Sequence, residues 1–149
     1  MMLRPRGEHG FTMLELMIVI MVIALMMAIS FPKLGDSLSK QGVRGASDAI
    51  RAMHATARAA AVQSGRGTTL RFDGNLVYVL TSDPVTGVLD TVGTVQDLMA
   101  SYKATITVTN ASFRFDARGI GRESDSTYIQ IVRDSNGDDL VITPWGQIR

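Results

Sequence analysis

The chain has 149 residues, enough for one modest domain beside a membrane segment. It has no cysteine, which excludes disulfides and thiolate metal sites. Residues 33–149 carry 13 basic and 12 acidic side chains, so bulk charge does not indicate a polyanion-binding protein.

The first predicted element is an apolar helix over residues 11–31, interrupted only by Thr12, Glu15 and Ser30. At 1.5 Å per residue it would reach about 30 Å, the thickness of the hydrocarbon core of a bilayer. Two arginines precede it, which favours a cytoplasmic N-terminus. A buried carboxylate costs about 2.5–3.5 kcal/mol on membrane-insertion scales, so Glu15 indicates a function.

A conventional secretory signal is the alternative interpretation of this stretch. Its apolar core would be followed by a small-x-small cleavage site at residues 28–30, and the product would begin at Phe31. The position of Glu15 beside the apolar core argues against this interpretation. So does the Gly10–Phe11 junction, which precedes the apolar core instead of following it.

Residues 10–15 read Gly-Phe-Thr-Met-Leu-Glu and resemble the class III signal of type IV pilins and pseudopilins. The resemblance implies that a prepilin peptidase cuts between Gly10 and Phe11 and that the new N-terminus is methylated. It also implies that Glu15 pairs with the N-terminus of a neighbouring subunit during filament assembly. Such pairing is physically reasonable, because an ammonium in apolar surroundings needs a counter-ion.

The helix is predicted to continue over residues 48–63. Pro32 ends the apolar run and marks either a bend in the helix or its exit from the membrane. Gly65 suits the C′ position after the last helical residue. His54 has no other ligand type at metal-binding spacing, so we predict no metal site there. An apolar stripe at three- and four-residue steps consists of Ala46, Ala49, Ile50, Met53, Ala57, Ala60 and Ala61.

After Gly67 the pattern changes to short alternating runs, which predicts antiparallel strands covered on one side by the helix. Two hairpins are predicted, one around Asp73-Gly74-Asn75 and one across Asn136-Gly137. Their strands are residues 68–72 with 76–81, and 128–132 with 140–143. Further strands are predicted over 103–109, 112–115 and 145–148, a turn over 117–122, and a loop with room for one short strand over 82–97.

The predicted fold class is therefore α+β, with a long N-terminal transmembrane helix packed on an antiparallel β-sheet head. The chain order gives four parts. These are a leader peptide (1–10), a transmembrane half of the helix (11–31), a periplasmic half of the helix (32–65) and the β-sheet head (66–149).

Three further segments resemble the GspH/FimT family of pseudopilins. They are residues 57–65 with the strand at Leu70, the Phe-x-Phe-x-x-Arg-Gly run over 113–119, and the ending over 142–149. The resemblance implies a minor pilin or pseudopilin that primes or caps a type IV pilus or a type II secretion pseudopilus. It implies a single-pass protein of the bacterial inner membrane whose head lies in the periplasm before filament entry. The implied partners are other pilins or pseudopilins, prepilin peptidase, the inner-membrane assembly platform, and membrane lipid before extraction.

Some members of the FimT branch bind DNA through a basic Gly-Arg-x-Arg ending. Residues 146–149 here read Gly-Gln-Ile-Arg, so glutamine replaces the first arginine. Arg118, Arg122 and Arg149 are the possible DNA contacts if they converge. The acidic residues interspersed among them argue against this alternative, since DNA affinity rises with the number of phosphates neutralised.

Other kinds of site have weaker signals. Residues 134–139 (Asp-Ser-Asn-Gly-Asp-Asp) suggest a calcium loop, but they lack the length and final glutamate of an EF-hand, and a tight hairpin explains them. The sequence has no phosphate-binding loop, zinc-protease motif or nucleophile elbow. After processing, only His54 remains as a histidine base. We therefore predict no enzyme, no cofactor and no metal.

Overall fold

A computed structural model describes residues 11–82 and 87–149. The leader, including Gly10, lies outside the described residues. The fold is the predicted α+β class, with a long helix and two antiparallel sheets. Its elements are α1 (Met13–Ser64), β1 (Thr68–Asp73), β2 (Leu76–Ser82), β3 (Leu89–Asp97), α2 (Leu98–Tyr102), β4 (Thr105–Val108), β5 (Ser112–Phe115), β6 (Thr127–Arg133) and β7 (Asn136–Ile142).

Helix α1 is 52 residues long, and the backbone stays helical through Pro32, which has no N–H to donate. The described chain divides into two compact units between Ser37 and Leu38. We call residues 11–37 the N-terminal segment and Leu38–Arg149 the folded unit. Because the division falls inside α1, one helix supplies both the N-terminal segment and a wall of the folded unit.

The end of α1 follows the sequence prediction. Gly65 adopts a φ of +64°, the left-handed conformation that glycine accepts at C′. The N–H of Arg66 donates to the carbonyl oxygen of Ala61 at 3.2 Å. This bond satisfies one of the free carbonyl groups of the last turn, so α1 stops here and the chain turns into β1.

The first sheet has the strand order β3-β2-β1-β5, and all of its pairs are antiparallel. Its hairpin confirms the prediction around Asp73-Gly74-Asn75. Asp73 pairs with Leu76, and Gly74 in the loop has a φ of +57°. On the other side of β1, Leu70 pairs with Phe113 of β5.

The second sheet has the order β4-β6-β7. The predicted hairpin forms, but its predicted turn position is wrong. Arg133 pairs with Asn136, so Asp134 and Ser135 make the loop and Asn136 already belongs to β7. Asp134 takes the positive φ of +53°. The register places Ile129, Ile131, Leu140 and Ile142 in the core, and a one-residue slip would turn these side chains outward.

Two predictions at strand ends and edges need correction. Most of the predicted loop over 82–97 is the nine-residue edge strand β3. It is followed by α2, capped by Asp97, whose side chain accepts a hydrogen bond from Ala100 N–H at 2.9 Å. The predicted strand over 145–148 is reduced to a bridge between Ile142 and Ile148.

One core joins α1 to both sheets. Ala46, Ile50, Ala57 and Ala61 of the predicted stripe are fully buried, as are Phe113 of β5 and Ile131 of β6. Full burial of a large apolar side chain contributes about 1.5–3 kcal/mol. The folded unit therefore encloses its own hydrophobic core.

Candidate functional site

The start of α1 carries the predicted processing and assembly residues. Thr12 precedes the helix, and its Oγ1 accepts a hydrogen bond from Glu15 N–H at 3.2 Å, which satisfies a free donor of the first turn. Phe11 is 80% exposed. Within residues 11–82 and 87–149, no cation lies within ion-pair distance of the Glu15 carboxylate. Glu15 therefore has no counter-ion within the described part of its own chain.

The N-terminal segment exposes apolar side chains around the whole circumference of α1. Its most apolar 18-residue window has a mean hydropathy of 2.6, and none of it is buried. Length and composition suffice for this helix to cross a membrane. A surface helix of a water-soluble domain has one apolar stripe, so this surface needs lipid or other helices around it.

Comparisons with known proteins agree with this geometry. A family model described as the prokaryotic N-terminal methylation motif matches residues 5–31. The type IV minor pilin FimU of Pseudomonas aeruginosa has a similar fold at 18% identity. One crystal form gives a TM-score of 0.59, over 74% of this chain and 88% of FimU. A second crystal form gives a TM-score of 0.55, over 71% of this chain and 90% of FimU. No curated protein matches the chain.

The fold is pilin-like. Residues 5–31 match the N-terminal methylation motif, and the fold is similar to that of a minor pilin. The motif model covers Phe11 and Glu15, the residues whose exposure the structure shows. The fold comparison extends the likeness to most of the chain.

The folded unit brings together two of the three predicted DNA-contact arginines. Arg118 and Arg122 both line a concavity of about 550 Å³ in the folded unit, which we call the Trp145 concavity. Its walls also include Ile120, Glu123 and Trp145. Arg149 is not among its lining residues.

Arg149 lies beside β7. Its N–H donates to the Val141 carbonyl oxygen at 3.0 Å, and its own carbonyl accepts from Val141 N–H at 3.1 Å. Val141 is three residues before Pro144, which lines the concavity. Since extended chain rises about 3.3 Å per residue, this pairing lies about 10 Å along the chain from Pro144. The three arginines do not line a single site.

Most charges around the concavity are already paired. Asp116 Oδ2 accepts hydrogen bonds from Arg118 Nη2 at 3.1 Å and Nε at 3.2 Å. The pKa of Asp116 is lowered, first by the hydrogen bond from Ile120 N–H and further by Arg118. Glu123 Oε1 accepts from Arg114 Nε at 3.2 Å. The Arg122 guanidinium has no hydrogen-bond or ion-pair partner in the described ranges.

A tight turn presents Trp145, the only tryptophan of the chain, at 75% exposure. Gly146 N–H donates to the Thr143 carbonyl at 2.8 Å and closes the turn. Gly121 N–H donates to the Trp145 carbonyl at 3.1 Å and ties the turn to the neighbouring segment. Sequence analysis placed Trp145 only in a short strand. The Pro before it and the Gly after it were the available turn signals.

His54 is buried on the inner face of α1, as part of the packing. Its ring centroid lies 5.2 Å from that of Phe115 and 6.4 Å from that of Phe113. Burial lowers the pKa of His54, the Arg58 guanidinium lowers it further, and a hydrogen bond with the Gly146 backbone acts in the opposite direction. Its Nε2 atom has no hydrogen-bond partner in the part of the chain that the structure describes.

Residues 134–139 form the β6–β7 hairpin. Ser47 Oγ donates to Asp138 Oδ2 at 2.7 Å, so this carboxylate serves to hold the hairpin against α1. The Asp134 carboxylate lies 3.7 Å from Arg133 Nε. Among the described residues, no group of three or more His, Cys, Asp or Glu side chains is arranged to hold a metal ion.

Proposed function

We propose that the pilin-like protein is a minor pilin or pseudopilin of the GspH/FimT type, which primes or caps a type IV pilus or a type II secretion pseudopilus. The observation that carries this proposal is the contrast within α1. Its N-terminal segment exposes apolar side chains on every side and carries Glu15 in the first turn, with no cation beside it in the described part of the chain, whereas its continuation closes a compact core. A helix of this kind anchors a subunit in lipid and then packs against the helices of neighbouring subunits.

In this proposal residues 1–10 are a leader that prepilin peptidase removes between Gly10 and Phe11. Residues 11–31 span the inner membrane, and 32–65 and 66–149 lie in the periplasm. The new N-terminus on Phe11 is methylated and stays positively charged. Lipid covers the N-terminal segment until the assembly platform extracts the subunit into the filament.

Glu15 then provides registration between subunits. Its carboxylate lies one helical turn from Phe11 and has no cation beside it in the described part of the chain. Pairing with the ammonium of a neighbouring Phe11 compensates two charges that are costly in apolar surroundings. A subunit shifted along the filament axis loses this pairing, so Glu15 selects the correct position.

The experiment is a co-assembly assay of Glu15→Val in bacteria that make the filament. We expect normal cleavage and membrane insertion, and loss of the variant from sheared filaments. Asp36→Val is the matched control, because Asp36 is an exposed acid on the same helix beyond the apolar run. Normal co-assembly of Glu15→Val would refute the registration role.

A DNA-binding minor pilin is the alternative. It draws support from Arg118 and Arg122, which line one concavity. The full-length protein in detergent micelles should be titrated with duplex DNA at several salt concentrations. Micromolar binding with a steep salt dependence, weakened by Arg118→Ala or Arg122→Ala, would support DNA uptake. Absence of binding at low salt would leave filament assembly alone.

A further inference from the structure

We propose that the Trp145 concavity binds an acidic peptide segment of a partner protein. In the bound state an apolar side chain of the segment covers the Trp145 indole, and a neighbouring carboxylate pairs with the Arg122 guanidinium. This surface is separate from the N-terminal segment and goes beyond filament assembly through α1.

The first observation is how Trp145 is held. An indole has a large apolar surface and is usually well buried, yet this one is 75% exposed. Its backbone is fixed by the Gly146-to-Thr143 bond at 2.8 Å and the Gly121-to-Trp145 bond at 3.1 Å. A large side chain on a rigid turn loses little conformational freedom on binding, and tryptophan is enriched among residues that dominate binding energy.

Close packing behind Trp145 strengthens this argument. A Cβ on Gly121 would lie 2.7 Å from Gly146 N and 2.7 Å from Phe113 Cζ. The segment at Gly121 therefore packs between the turn and the buried Phe113, and a Cβ on Gly146 of the turn would lie 2.9 Å from Phe115 Cε1. The indole is presented by the core of the folded unit and not by a loose terminus.

The second observation is the balance of hydrogen-bond donors and acceptors. Asp116 Oδ1 accepts from the N–H groups of Arg118 and Ile120, and its Oδ2 accepts from the Arg118 guanidinium. Glu123 Oε1 accepts twice from Arg114. By contrast, the Arg122 guanidinium is free in the described part of the chain. The concavity thus offers surplus donors, which suits a ligand that brings a carboxylate.

The charges that line the concavity favour a peptide over DNA as its ligand. A nucleic-acid backbone presents closely spaced phosphates and needs several unpaired cations to bind them. Here Arg122 is the only lining guanidinium without a partner in the described part of the chain, too few to bind a run of phosphates. A peptide instead brings one carboxylate next to an apolar group, which matches Arg122 beside Trp145 and Ile120. Such an apolar centre with a polar rim is typical of protein interfaces.

The test uses Trp145 fluorescence of the full-length protein in detergent micelles, since Trp145 is the only tryptophan. The probe is a blocked synthetic peptide, Gly-Ser-Phe-Glu-Glu-Ser-Gly, with a matched peptide that has Gln for both Glu. We expect a saturable blue shift with the acidic peptide. The Gln peptide should bind about tenfold more weakly, because it lacks a charge-assisted hydrogen bond.

Arg122→Gln should weaken binding of the acidic peptide by about tenfold, because Arg122 is the free cation of the concavity. Arg51→Gln is the matched control and should leave binding unchanged, since Arg51 is an exposed arginine on α1 outside the concavity. Absence of a saturable shift, or equal affinity for the two peptides, would overturn the proposal. So would a shift with single-stranded or duplex DNA alone. Processing and co-assembly can still succeed in each case, so the filament proposal is tested separately.

Discussion

The N-terminal segment and the folded unit place the same kinds of apolar residue in opposite environments. Every side chain that the structure describes between residues 11 and 37 is exposed, whereas the folded unit buries a continuous cluster that includes Ile50 and Phe113. In the proposed function, lipid or neighbouring subunits cover the first region. The second region buries its apolar side chains within its own core. Substitutions in the two regions should therefore affect different properties, membrane and filament behaviour in one and folding stability in the other.

The largest expected effect is on the core of the folded unit. Phe113→Ala should lower the free energy of unfolding by about 3–5 kcal/mol, because it leaves a cavity next to His54 and Phe115. Ile23→Ala should leave this free energy almost unchanged, because Ile23 is exposed and lies outside the core of the folded unit. Urea unfolding of full-length protein in micelles, followed by near-UV circular dichroism, measures both. Equal losses would show that the two regions do not differ in this way.

Two glycines, one in each region, test the same contrast through the space around their backbone. Gly121→Ala should cost about 1–3 kcal/mol of unfolding free energy, because the new Cβ meets Gly146 N and Phe113 Cζ at 2.7 Å. Gly35→Ala in the N-terminal segment meets nothing within 4 Å and should slightly strengthen the helix. The same unfolding assay applies, with helix content as a second readout. A destabilising Gly35→Ala would contradict the described exposure.

Two serines give a smaller contrast. Ser47→Ala should cost about 0.5–1.5 kcal/mol, because Asp138 loses the hydroxyl that joins the β6–β7 hairpin to α1 at 2.7 Å. Ser30→Ala should be close to neutral, since Ser30 Oγ bonds only within its own helix, to the Met26 carbonyl at 2.9 Å. Amide hydrogen exchange in β6 and β7 measures the difference. Unchanged exchange in Ser47→Ala would show that the hydrogen bond from Ser47 to Asp138 does not stabilise the hairpin.

The smallest effect near neutral pH should come from His54. Its pKa is lowered in the folded unit, first by burial, so the unfolded chain takes up the proton first as the pH falls. The free energy of unfolding should therefore have its full value at a pH above the ordinary histidine pKa of about 6.5, and it should decrease as the pH falls below that value. His54→Gln should remove this dependence between neutral pH and about pH 5. A wild-type stability that stays flat across that range would contradict the described burial.

Local signals predicted most of the fold. The stripe from Ala46 to Ala61 and the glycine at position 65 defined the second half of α1, because helical spacing and a left-handed C′ residue are properties of the local sequence. Alternation of apolar and polar residues on both sides of Asp73-Gly74 likewise predicted the first hairpin. These elements needed no information from distant residues.

The errors occurred where tertiary contacts override local preference. Asn136-Gly137 favours a tight turn, but burial of Ile131 and Leu140 sets the register and moves the turn to Asp134-Ser135. Strand β3 is exposed on most of its length and contains Gly93, so its pattern resembles a loop until β2 pairs with it. Helix α2 has only five residues, too few for a periodic signal.

The two candidate sites also differ in how far they could be predicted from the sequence. Phe11 and Glu15 belong to one short motif, so their proposed roles follow from its resemblance to the pilin signal. The Trp145 concavity combines the segment from Asp116 to Ser124 with the turn at Pro144 and Trp145, which only the fold brings together. The sequence named Arg118, Arg122 and Arg149, but it contained no signal that β7 would hold Arg149 outside the concavity.

The most direct measurement is the mature N-terminus of the protein isolated from membranes of a bacterium that has prepilin peptidase. Intact mass and N-terminal sequencing should show a chain that begins at N-methylated Phe11, and Gly10→Leu should retain the leader. A chain that begins at Phe31, or one that keeps residues 1–10 in the presence of the peptidase, would contradict the proposed anchoring and assembly through α1.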